Sequence, residues 1–127
     1  MFKMKKIVIA MIGFLLMANE ASAVSIYDGI YQLNPNIGYA TLREQNGTMI
    51  AVVNQTYGGY SWGAANGTMN GSSVQLSTII GHINETINVN FTSATTFTAI
   101  IVSCSPNTAG YYCSFKAGQT LTGTKIW

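Results

Sequence analysis

The sequence predicts an all-β fold, an antiparallel meander of about eight short strands that closes into a barrel. Three observations carry this expectation. Residues 83–91 alternate along their length, with Ile83, Ile87, Val89 and Phe91 on one side and Asn84, Thr86, Asn88 and Asn90 on the other. That is the period of a half-buried strand. Turn-forming residues recur at short intervals between apolar runs. No long stretch after residue 23 carries a helical period.

The elements follow in order. Residues 26–33 and 37–44 form the first two strands, separated by Asn34-Pro35-Asn36. Asn46-Gly47 then leads into residues 48–54. An Asn-Gly pair between apolar runs is a strong hairpin signal, because both residues tolerate positive φ. Residues 57–65 and 73–80 follow, with Asn66-Gly67 and Asn70-Gly71 as the turn signals between them. Gly81-His82 precedes the alternating segment, and Ser93-Ala94 leads from it into residues 95–104. The last strands are expected at 112–116 and 119–126, broken at Gly118. A two-sheet β-sandwich satisfies the same pattern, whereas a closed barrel also removes the exposed edges. Glu85 is the one charged residue on the apolar side of its strand. Residues 49–53 and 99–102 are apolar on both sides, which predicts strands covered on both faces, by a terminus or a dimer partner. A patch that meets another protein is the alternative.

Residues 1–23 read as a secretory signal peptide. Lys3, Lys5 and Lys6 precede an apolar run that ends near Ala18, and Ala21-Ser22-Ala23 supplies the small residues of a cleavage site. Residues 24–127 then form one all-β domain, destined for the periplasm or the extracellular space of what reads as a bacterial host. In this domain Arg43, Lys116 and Lys125 balance Asp28, Glu44 and Glu85, so the net charge is zero. Three scattered cations cannot release the counterions that nucleic-acid binding depends on, so no nucleic-acid partner is expected. A near-neutral surface favours self-association, so a homo-oligomer is among the expectations. Membrane-spanning strands of about 9–11 residues with their loops do not fit eight times into residues 24–127, so the chain is not expected to span a membrane.

Cys104 and Cys113 predict one disulfide in an exported chain. The segment between them is full of turn formers. Closing so short a loop contributes roughly 2.5–3 kcal/mol in the chain-entropy picture.

Little here resembles a catalytic centre. His82 is the one histidine, and neither a nucleophile elbow nor a zinc-protease helix motif is present. Asp28 or Glu85 could orient His82, and Ser73 or Ser77 could attack, but no spacing groups them. No enzyme activity, metal or cofactor is expected, and His82 reads as an exposed turn residue. The aromatic residues are more informative. Tyr60 and Trp62 share a strand face within a Gly-rich stretch, and Tyr27 and Tyr31 share a face of the first strand. Lining a barrel, these four rings would stack on a small apolar or sugar-like ligand. Filling the interior is what the same rings would do in a narrow barrel without a ligand.

Gly29-Ile30-Tyr31 in the first strand and Lys125 near the end of the last resemble the calycin barrels, the lipocalin and avidin type. Those begin with Gly-x-Trp and set a late Arg or Lys against that aromatic. The resemblance implies an eight-stranded meander barrel and transfers no binding residue. The chain is also similar in size and strand count to the small periplasmic inhibitors of bacterial metalloproteases, whose disulfide arrangement differs. The expected function is therefore a non-catalytic binding module for a small molecule. A protein-interaction role, inhibitor-like or adhesin-like, is the second expectation.

Overall fold

The computed structural model describes residues 24–56 and 61–127. The signal-peptide expectation for residues 1–23 and the placement of Tyr60 lie outside the described residues. Among the described residues, eight strands run in chain order: β1 (Gly29–Asn34), β2 (Gly38–Gln45), β3 (Thr48–Gln55), β4 (Ser61–Asn70), β5 (Ser73–Ile80), β6 (Ile83–Phe91), β7 (Thr96–Pro106) and β8 (Thr120–Lys125). Each pairs antiparallel with the next, and β1 returns to pair with β8 through Tyr31 opposite Lys125 and Leu33 opposite Gly123. The sheet is a closed up-and-down barrel, as the alternation and the turn spacing predict.

The Asn46-Gly47 hairpin is present. Both residues have positive φ, 53° and 78°, and they join Gln45 directly to Thr48. These are the dihedral signs of the two-residue turn that matches strand twist. Asn66-Gly67 does not turn, correcting the sequence reading: both residues lie inside β4, where Gly67 sits opposite Met49. A Cβ on Gly67 would overlap the Gln75 carbonyl of β5, so this glycine serves a close strand approach. The reversal comes later, at Gly71-Ser72.

Residues 112–116 are likewise not a strand. Strand β8 pairs only with Thr96–Ile100 of β7, and the rest of β7 runs on beside β6. The overhang leaves residues 107–119 to fold back over one end of the barrel. The predicted disulfide is present: Cys104 of β7 is bonded to Cys113 of this connection, with Cα atoms 6.1 Å apart.

The barrel has two unlike ends. One end is filled by Tyr31, Phe91 and Phe97, with ring centroids 5.3–6.2 Å apart. Tyr27 stacks on Phe91 at 4.1 Å. The segment before β1 crosses this end. Ser25 Oγ donates to Glu44 Oε2 (2.6 Å), the Asp28 carboxylate accepts from the Glu44 amide (2.7 Å), and Lys125 Nζ donates to the Ile26 carbonyl (2.8 Å). Gly123 makes room for the Phe97 ring, which a Cβ there would overlap. Among the described residues, the other end carries the β1–β2, β5–β6 and β7–β8 connections.

Residues 49–53 and 99–102 are covered on one face only. Met49, Ala51, Ala99 and Ile101 are buried, whereas Ile50, Ile100 and Val102 are more than two-fifths exposed. Within the described chain nothing covers that outer side.

Replacing Cys104 and Cys113 together by Ala removes the tether of the β7–β8 connection. Loop closure of this length is worth about 2.5 kcal/mol, so the melting temperature should fall by roughly 10–20 °C. Hydrogen exchange should accelerate first in residues 107–119. Unchanged exchange there would contradict a tethering role.

Candidate functional site

Above the aromatic floor the barrel is hollow. The inward residues of the neighbouring strands are small or slender: Ala40 on β2, Ala51 and Val53 on β3, Gly63 and Ala65 on β4, Ala99 on β7. They leave a cavity of about 470 Å³ that opens at the loop end. Small-molecule sites commonly span about 300–1,000 Å³, so one modest ligand fits. The lining is mostly aliphatic, with Leu76 and Ile80 from β5 and Ile87 and Val89 from β6 among its walls.

The mouth is bordered by the start of β4 and by the β5–β6 and β7–β8 connections. Trp62, at the start of β4, borders it and is 60% exposed. His82, between β5 and β6, stacks almost flat on Tyr111 of the β7–β8 connection, with centroids 4.0 Å apart. Its Nδ1 lies 3.2 Å from the Thr108 hydroxyl. Asn107 fixes the same contact, its side-chain amide donating to the Gly81 carbonyl (3.1 Å) and to Asn84 Oδ1 (2.9 Å). The Asn107 main-chain N–H donates to the His82 carbonyl (3.0 Å). Cys113 pins the residues on either side of it, so Tyr111, Tyr112 and Phe115 stand at the opening, and Phe115 also packs against the core.

The expected aromatic residues separate. Trp62 borders the cavity. Tyr31 is fully buried in the floor, its hydroxyl placed to donate to the carbonyls of Tyr27 (2.9 Å) and Ala94 (3.3 Å). Burial first, then the Asp28 carboxylate and Tyr27, push the Tyr31 phenol up to about 12, so it stays a neutral donor. Tyr27 lies beneath that floor, stacked on Phe91. Lys125 Nζ sits 5.5 Å from the Tyr31 ring centroid, within cation–π range. Neither Tyr27 nor Tyr31 is among the residues bordering the cavity. The sequence reading passed over Tyr111, Tyr112 and Phe115. Their signal was the Tyr-Tyr-Cys run at the disulfide, which ties that segment to the barrel rim.

One ionisable group faces the interior wall. Glu85 of β6 borders the cavity among Ile83, Ile87 and Val89. Its main chain is tied to the Thr78 hydroxyl of β5, which accepts from the Glu85 amide at 2.9 Å. Its carboxylate makes no hydrogen bond with the described residues. Desolvation raises its pKa above the ordinary carboxylate value. The remaining titratable residues at the cavity are His82, Tyr111 and Tyr112, all at the mouth. Asp28 and Glu44 are bonded together at the closed end, and Ser73 Oγ donates to Asn90 Oδ1. No hydrogen bond joins Asp28, Ser73 or Ser77 to His82. Among the described residues no three His, Cys, Asp or Glu side chains could share a metal ion.

The chain matches no protein-family model, no curated protein and no solved structure.

The raised pKa of Glu85 makes a stability statement. A carboxyl that holds its proton more tightly when folded costs stability once it ionises. The cost is absent below the unfolded carboxyl value and develops as pH rises through the folded one. Glu85→Gln should therefore raise the melting temperature at pH 7 and leave it nearly unchanged near pH 3. Equal stabilisation at both pH values would contradict a desolvated carboxylate.

Proposed function

We propose that the protein is an exported, non-catalytic binding module that holds a small, largely apolar molecule inside its barrel. The observation that carries this reading is the 470 Å³ cavity, open at one end and walled by aliphatic side chains. Apolar burial supplies the affinity in such a site, and a few polar groups fix orientation. A sugar fits less well, because each of its hydroxyls needs a partner on burial and the walls offer few.

An aqueous, oxidising setting is supported from the outside. The outward residues of β5 and β6 are polar at Ser73, Gln75, Ser77, Asn84, Thr86, Asn88 and Asn90, with Ile79 the exposed apolar exception. A barrel facing lipid carries an apolar band there. Among the described residues no helix is long and apolar enough to cross a membrane. The Cys104–Cys113 bond is compatible with an exported compartment, in keeping with the leader-like residues 1–23.

A second reading, a protein-interaction role or self-association, is favoured by the exposure of Ile50, Ile100 and Val102 on the outer wall. Light scattering on the eluting protein separates the two, since a strict monomer removes its motivation.

Trp62→Ala tests the cavity reading. The ring is mostly exposed, so the melting temperature should move little. Affinity for an uncharged naphthalene fluorophore should fall about tenfold or more, the weight of a buried aromatic contact. Unaltered affinity would remove Trp62 from the site.

A further inference from the structure

Building on that cavity reading, we propose that the occupant is an apolar amine, its hydrocarbon or aromatic body filling the barrel and its ammonium group meeting Glu85. The inward face of β6 reads Ile83, Glu85, Ile87, Val89, Phe91. A carboxylate among aliphatic side chains is costly unless it is paired. Among the described residues none pairs with it. Lys125 is engaged at the closed end, donating to Ile26. Arg43 sits opposite the outward-facing Ile50 on the outer wall, and Lys116 is exposed on the β7–β8 connection. None of the three borders the cavity. The Thr78 hydroxyl, the nearest polar partner on β5, is taken by the Glu85 main chain. On β7 the residue opposite Glu85 is Cys104, held in the disulfide.

His82, which does border the cavity, is stacked on Tyr111 with its Nδ1 at the Thr108 hydroxyl, so among the described residues the Glu85 carboxylate has no cation bonded to it, and the entrance is aromatic. Trp62, Tyr111 and Tyr112 border the mouth, and aromatic rings attract cations and not anions. A molecule with an apolar body and one ammonium group satisfies both features, forming a charge-assisted hydrogen bond to Glu85 in a low-dielectric space. A fatty acid or other anion meets repulsion at the same carboxylate. A neutral alcohol of the same shape gains the apolar burial without the ion pair.

The test compares three probes of one skeleton by calorimetry at pH 7 on the disulfide-bonded protein: 1-naphthylmethylamine, 1-naphthylmethanol and 1-naphthylacetate. The amine should bind at least about tenfold tighter than the alcohol, the weight of a hydrogen bond to a charged group, and the acetate should bind weakest. Glu85→Gln should bring the amine down to the alcohol's affinity and leave the alcohol's own affinity within about twofold. Equal binding of amine and alcohol by the unaltered protein overturns the proposal while leaving the cavity reading intact. So does an amine preference that survives in Glu85→Gln. Failure of all three probes to bind overturns both. The unaltered protein's amine-to-alcohol ratio decides the matter even if the variant does not fold.

Discussion

The placing of bulk along the barrel axis governs everything else in this molecule. A closed barrel of eight strands encloses a space just wide enough for side chains to fill. In this chain the large rings, Tyr31, Phe91 and Phe97, gather at one end, backed by Tyr27 and sealed by the segment before β1. Alanines, glycines and slender aliphatics occupy the corresponding levels toward the other end. The floor packs its rings against one another and against the segment before β1. Because it does so, the upper interior can stay open without loss of the fold.

The open end owes its shape to a different constraint. Strand β7 outruns β8, so the connection between them must return across the rim. Cys104–Cys113 and the His82–Tyr111 stack hold it there. The tether orders a loop that would otherwise carry a large conformational entropy. It thereby sets Tyr111, Tyr112 and Phe115 at the opening beside Trp62. The site thus combines a packed floor, a hollow apolar shaft with one carboxylate in its wall, and a stapled aromatic rim.

Much of this was legible in the sequence, and the limits are physical. Alternation put Ile83, Glu85, Ile87, Val89 and Phe91 on one face, and the structure turns that face inward. Asn46-Gly47 and the cysteine pair also read correctly, since each is a local signal with a local cause. Depth along the axis was not legible. Period 2 separates inside from outside, but strand tilt and register decide whether an inward ring is floor or wall. Tyr31 is floor and Trp62 is rim for that reason. Asn66-Gly67 misled because a glycine that lets two strands approach looks, in sequence, like a glycine that turns. Residues 112–116 misled because their apolar character serves the rim and not a strand ladder.

A barrel that is a vessel and not a filled core should carry an occupant. Native mass spectrometry on the protein isolated from its own host tests this most directly. An added mass on the order of a few hundred daltons, the size a cavity of this class accepts, is the predicted result. The mass of the bare chain, light only by the two hydrogens of the disulfide, would contradict it.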